Sequence, residues 1–202
     1  MRKMDFRIIF LIVFFGSALV ILLSAILVLS LKEKTRSKSL LKKYQDIGFR
    51  PGSKDIVESK GFKETRMGNR QKIYNVFTGT FQGIRTIIFD MDTSVGNLGY
   101  GTGTPHGNTY KSSGIIFEKR APVFLLRPRS PISRNVYNEY FSLEGDSSFM
   151  TESLAQTIQK RYTIESTGDH ILFVPSKKRI ENIRKELEDT YKLLEEITER
   201  NQ

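Results

Sequence analysis

The residues whose types could do chemistry gather in one stretch, Ile87 to Gly103, which reads IIFDMDTSVGNLGYGTG. Asp90 and Asp92 alternate along an apolar run, and the hydroxyl residues Thr93 and Ser94 follow them. That pattern suits an aspartyl nucleophile working on a phosphorus centre. Gly99, Gly101 and Gly103 then give GxGxG, a spacing from which backbone amides can cradle phosphate. The segment has neither the G-K-[ST] of a P-loop nor a helix after it, so its glycines are read as freedom for positive φ in a long loop between strands. His106 lies in that loop and His170 at the start of a strand. Two histidines without a third ligand make no metal site. Arg127, Arg129 and Arg134 of LRPRSPISR could hold a phosphate or an acidic partner, and the plainer reading is a solvated loop. Cysteine is absent, which excludes disulfides, thiolate metal sites and cysteine nucleophiles. No cofactor is expected.

RTIIFDMDTSV resembles the first motif of haloacid-dehalogenase-type phosphatases. The resemblance implies that Asp90 attacks phosphorus, Asp92 acts as general acid and base, Ser94 stands in for the usual Thr, and Mg²⁺ neutralises the phosphate. The glycine that commonly follows the second Asp is Thr93 here. The resemblance also implies a parallel sheet with crossover helices, each about a dozen residues or more, yet only strands and loops are read between Asp90 and Asp146. Gly145-Asp146 begins the later acidic pattern of that family, and Met150 stands where its second acid belongs. The expectation is therefore a β-hairpin in which strand position sets Asp90 and Asp92, with the phosphatase as the alternative.

The elements that must position these residues are legible as short apolar runs divided by turns. KIYNVFTGTF (72–81) and GIRTIIFDMDT (83–93) are rich in β-branched and aromatic residues and meet at a tight turn around Gln82-Gly83. YKSSGIIFEK (110–119), PVFLLRP (122–128) and YFSLEG (140–145) continue the series. Asp146 or Ser147 can then cap a short helix, FMTESLAQTIQK, with Met150, Leu154 and Ile158 on one stripe. YTIES (162–166) and HILFVP (170–175) form a further hairpin across Thr167-Gly168-Asp169. A helix from about Lys177 to Arg200 closes the chain. Its apolar stripe of Ile180, Ile183, Leu187, Thr190, Leu194 and Ile197 must be buried, and Lys177, Lys178 and Arg179 fall at the end where the helix dipole disfavours cations.

The 202 residues carry a formal charge of +10, and most of that excess flanks one apolar run. Ile8 to Leu31 contains no charge, and as a helix it would span roughly 36 Å, against a hydrocarbon core of about 30 Å. The expectation is a transmembrane helix over 8–31 after a short flank (1–7), making this a single-pass membrane protein. A basic stalk follows over 32–48, ending at Gly48, and residues 49–202 form the β-rich domain. Lys32, Lys34, Arg36, Lys38, Lys42 and Lys43 outnumber Arg2, Lys3 and Arg7 across the run, so the positive-inside rule places the domain in the cytoplasm. The same six residues are candidates for contact with an anionic membrane surface. The charge sits around the apolar run and no nucleic-acid-binding motif appears, so nucleic acid is not an expected partner.

IYNVFTGTFQGIRTIIFDMDTSVGNLGYGT, PVFLLRP, YFSLEGD, YTIESTGDHILFV and the terminal helix together resemble a family of uncharacterised bacterial proteins with no assigned activity. In element order the chain is similar to a pleckstrin-homology-like domain, a bent sheet or small barrel plugged by a final helix. The fold expected is thus α+β: one transmembrane helix, then a mainly antiparallel β domain with a short helix and a C-terminal amphipathic helix. The function expected is non-enzymatic, a binding or scaffolding domain that meets a protein or an anionic surface. The sequence fixes neither the partner nor the oligomeric state.

Overall fold

The computed structural model describes residues 6–66, 70–95, 108–129, 140–158, 161–176 and 179–199, excepting the side chains of 6–13, 18, 26, 29–30, 32–34, 70, 94–95 and 108–109. The chain divides into two compact units, Met1–Lys43 and Tyr44–Gln202.

The described residues of the first unit, 6–43, are helical and belong to α1 (Phe6–Gln45). Its apolar side chains, such as Phe15, Val20, Ile21 and Val28, are exposed. Among the described residues, however, no helix is long and apolar enough to cross a membrane. The described side chains of the run extend from Phe14 to Val28, broken at 18 and 26, with Leu31 beyond. The transmembrane helix expected over 8–31 is corrected accordingly, and with it the single-pass topology and the membrane and cytoplasmic placement built on it. On α1, Lys38, Lys42 and Lys43 are exposed and Arg36 is partly buried, while the side chains of Lys32 and Lys34 lie outside the described residues.

The second unit is α+β around one open antiparallel sheet of eight strands. In chain order its elements are β1 (Arg50–Pro51), α2 (Lys54–Glu58), β2 (Arg70–Phe81), β3 (Ile84–Val95), β4 (Asn108–Phe117), β5 (Phe124–Pro128), β6 (Phe141–Gly145), α3 (Glu152–Ile158), β7 (Tyr162–Ser166), β8 (Ile171–Pro175) and α4 (Ile183–Thr198). Gly48, in the left-handed region at φ 85°, turns the chain from the end of α1 into β1. The sheet order is β1-β2-β3-β4-β8-β7-β5-β6. Local hairpins build β2-β3-β4, β5-β6 and β7-β8, and two non-local pairings, β4 with β8 and β5 with β7, weld them together.

The β2–β3 turn is Gln82-Gly83, both with positive φ (48° and 78°). Two such residues give the twist a two-residue hairpin needs. One extra residue interrupts the β2–β3 register between Tyr74 and Phe77, and Asn75 sits there at φ 49°. This is a β-bulge, which bends the strand and re-aims a side chain.

Alternation along the strands sorts side chains to two covered faces. Val76, Ile87, Phe89, Met91, Ile116, Leu172 and Val174 form one core cluster with Val57 of α2 and Phe62 after it. The opposite face carries Ile88, Ile115, Phe117 and Phe173, all buried. There α4 lies over the sheet, with Tyr191 edge-on to Phe81 at 5.8 Å and to Phe117 at 6.4 Å. Ile183, Leu187, Thr190, Leu194 and Ile197 are buried on it as the spacing predicts, with Leu193 beside them. The helix starts at Ile183, not near Lys177, because the Asn182 side chain accepts the Lys185 amide at 3.2 Å and caps it. Thr151, not Asp146 or Ser147, bonds the first turn of α3, through the Leu154 amide at 3.1 Å.

Candidate functional site

Asp90 and Asp92 stand in the middle of β3, flanked on both sides by antiparallel partners: Asp90 opposite Tyr74 and Ser113, Asp92 opposite Lys72 and Lys111. A phosphatase of the kind the motif resembles needs its aspartates at the end of a parallel strand, open to substrate. Asp90 is only 2% exposed. Its Oδ1 accepts from Ser113 Oγ at 2.6 Å and its Oδ2 from Asn75 Nδ2 at 3.0 Å. The bulge that lifts Asn75 out of the regular ladder delivers that second bond. Ser113 Oγ in turn accepts the amide of Ile180 at 3.0 Å, so the carboxylate anchors the chain leading into α4.

Asp92 continues this seam. Tyr74 donates its hydroxyl to Asp92 Oδ1 at 2.6 Å, and Arg179 lies 3.5 Å from the same oxygen. Arg179 also donates to the Tyr74 oxygen and lies over its ring, 5.4 Å from the centroid. The cation that looked misplaced at a helix N-terminus therefore precedes the helix and pairs with β2 and β3.

On its other side Arg179 lines an open cleft of about 550 Å³ between the ends of β7 and β8 and the start of α4. Arg161, Arg179 and Lys185 supply cations to its lining, and Glu181, Glu186 and Asp189 supply carboxylates. Arg161 pairs with Asp189 at 3.5 Å and lies over the Tyr162 ring at 5.6 Å. The Tyr162 hydroxyl donates to Glu186 Oε1 at 2.5 Å. Burial, and after it the adjoining Glu186 carboxylate, pushes the phenol well above its ordinary range. It is a fixed donor, not a proton shuttle. The lining offers a set of charged donors and acceptors suited to holding a polar chain.

The remaining sequence candidates scatter. Arg127 pairs with Glu64 at 2.5 Å and Glu144 at 3.4 Å on the face opposite the cleft, so it is structural and not a solvated loop residue. Arg129 is exposed. Arg134, His106 and the glycines Gly99, Gly101 and Gly103 lie outside the described residues, as does the Ser94 side chain. His170 contacts Lys60. No group of three or more His, Cys, Asp or Glu that could hold a metal occurs among the described residues.

Sequence reasoning missed the cleft itself. Its residues come from 161–162, 175–176, 179–182 and 185–189, and only the β7–β8 pairing and the Asn182 cap bring them to one corner. The one available signal was the run of cations before the terminal helix. No family model, no curated protein and no solved structure matches this chain.

Proposed function

We propose that the β-rich domain is a non-enzymatic binding module that takes a segment of a protein partner in the cleft beside α4. The observation that carries this reading is the cleft's lining, in which Arg161, Arg179 and Lys185 are interleaved with Glu181, Glu186 and Asp189. With three cations set against three carboxylates the lining is formally neutral and gives an anionic surface no net attraction, whereas a polypeptide presents both signs of charge and backbone groups to meet them. The engagement of Asp90 with Ser113 and Asn75 supports the same reading, because it occupies the carboxylate that the phosphatase alternative needs free.

The test places a photo-crosslinking residue at exposed Glu181 and compares the chain with its Arg161→Glu, Lys185→Glu double variant. A discrete adduct to one protein, reduced about tenfold or more by the reversal, is expected. An adduct indifferent to the reversal, or none, overturns the proposal. So does Mg²⁺-dependent hydrolysis of a phosphate ester that Asp90→Asn abolishes.

A further inference from the structure

Away from the cleft, the segment Lys54–Arg66 lies across the other face of the sheet and seats Val57 and Phe62, both fully buried, in the core cluster. Between these two apolar anchors α2 ends. The Ser59 and Lys60 amides bond back to Asp55 and Val57, and Gly61 takes φ 77°. Lys60 extends from this turn to a pair of residues at the adjacent ends of β4 and β8. Its Nζ lies 3.0 Å from Glu118 Oε1 and 2.8 Å from His170 Nε2. Glu118 Oε1 is also 3.9 Å from His170 Nε2, and Arg85 holds the second Glu118 oxygen at 3.5 Å.

An ammonium has only protons to offer, so at this contact Nε2 must present its lone pair, leaving the ring proton on Nδ1. A doubly protonated imidazole has no lone pair, and it would set two cations against each other at hydrogen-bond distance. We infer that Lys60, His170 and Glu118 form an acid-sensitive latch: protonation of His170 gives Glu118 to the imidazolium, displaces Lys60, and loosens residues 54–61 from the apolar face of β2, β3, β4 and β8.

The charged groups facing His170 are Lys60, Glu118, Asp169 and Arg85, and Arg120 pairs with Asp169 at 3.3 Å. Burial first, and the Lys60 charge second, hold the imidazole below its ordinary 6.5. A depressed folded-state value means the contribution to stability is whole above the ordinary value and is lost as pH falls through the folded one. The loosening ends at the next anchor, because Glu165 accepts the amides of Lys63 at 2.7 Å and Glu64 at 2.9 Å and its bonds do not pass through His170.

Amide hydrogen exchange on the full chain tests this, with peptides over 54–62 followed from about pH 7.5 to about pH 5.5 after correction for intrinsic exchange. Opening coupled to one proton can rise by at most about tenfold per pH unit. That rise is expected in the native chain and in His106→Gln, which alters the other of the two histidines. It is expected to vanish in His170→Gln, whose side-chain oxygen still accepts from Lys60 but does not titrate. An acid response of equal size in His170→Gln overturns the latch, as does a flat response in the native chain. So does exchange in β3 and β4 that rises in step, which would mark global acid unfolding. Should the variant not fold, imidazole NMR of the native chain decides: the latch requires His170 to titrate at the midpoint of the 54–62 opening, and separate midpoints overturn it.

Discussion

Asp90 and Ser113 face each other across β3 and β4, and the hydroxyl that donates to Asp90 Oδ1 at 2.6 Å also accepts the Ile180 amide at 3.0 Å. One serine thus couples a buried carboxylate to the backbone entering α4. Two residues farther along β3, Asp92 holds Tyr74 and Arg179 in the same way. The DxD letters that resemble a nucleophile motif act as a seam joining the terminal helix to the sheet and fixing one wall of the cleft.

Asp90→Asn separates this role from catalysis. The amide offers one acceptor oxygen where Ser113 and Asn75 each donate to their own, so one of these two charge-assisted bonds is lost. A loss of about 1 to 3 kcal/mol is expected. Chemical denaturation should show the midpoint fall with the slope unchanged, and unaltered stability would remove Asp90 from the seam.

Gly114 tests the close packing beneath the same pair of strands. A Cβ there would meet Cζ of Phe89, and would lie 2.6 Å from its Cε1 and 3.1 Å from Cδ1 of Leu172. Phe89 is almost fully buried and has little room to withdraw. Gly114→Ala is expected to cost about 1 to 3 kcal/mol, typical of overpacking, seen as a lower Tm by calorimetry. A neutral result would mean the ring repacks freely.

The fate of Gly114 was not legible in the sequence, and the reason is general to this fold. Runs such as KIYNVFTGTF and HILFVP announce strands by alternation and β-branched content, and Gln82-Gly83 announces its turn, because those signals are local. The stripe Ile183, Leu187, Leu194, Ile197 likewise states that one face of the terminal helix is buried. The pairings of β4 with β8 and β5 with β7 leave no local trace. The β4–β8 pairing puts Glu118 beside His170, and the packing of residues 54–66 on the sheet puts Lys63 over Glu165. The bulge at Asn75 is equally silent, since nothing in NVFTG distinguishes a left-handed Asn from a regular strand residue, and without it Asp90 could not be recognised as already occupied. Sequence pattern therefore gave the elements of the candidate site, while its chemistry depended on contacts between segments about a hundred residues apart.

Asn182 fixes where α4 begins and lies in the cleft lining. Removing its side-chain bond to the Lys185 amide in Asn182→Ala is expected to cost about 1 kcal/mol, or roughly 2 to 4 °C in Tm for a chain of this size. Asn182→Asp should retain the cap, so a matching loss in both variants would assign the effect to something other than capping.

Glu165 gives a pH dependence opposite in sign to that of His170. Burial holds its carboxyl above the ordinary 4.5, even though the Glu64 and Lys63 amides that it accepts favour the charged form. For a raised value the contribution to stability is full below the unfolded value and is lost as pH rises through the folded one. Glu165→Gln removes that loss but offers a single oxygen to two amides. The variant's deficit relative to the native chain should therefore be largest near about pH 4 and shrink toward about pH 7, and His170 cancels from the comparison because both proteins carry it. Denaturation midpoints of the two proteins at each pH measure the difference, and a deficit that widens as pH rises would show that hydrogen bonding, not burial, governs the Glu165 carboxylate.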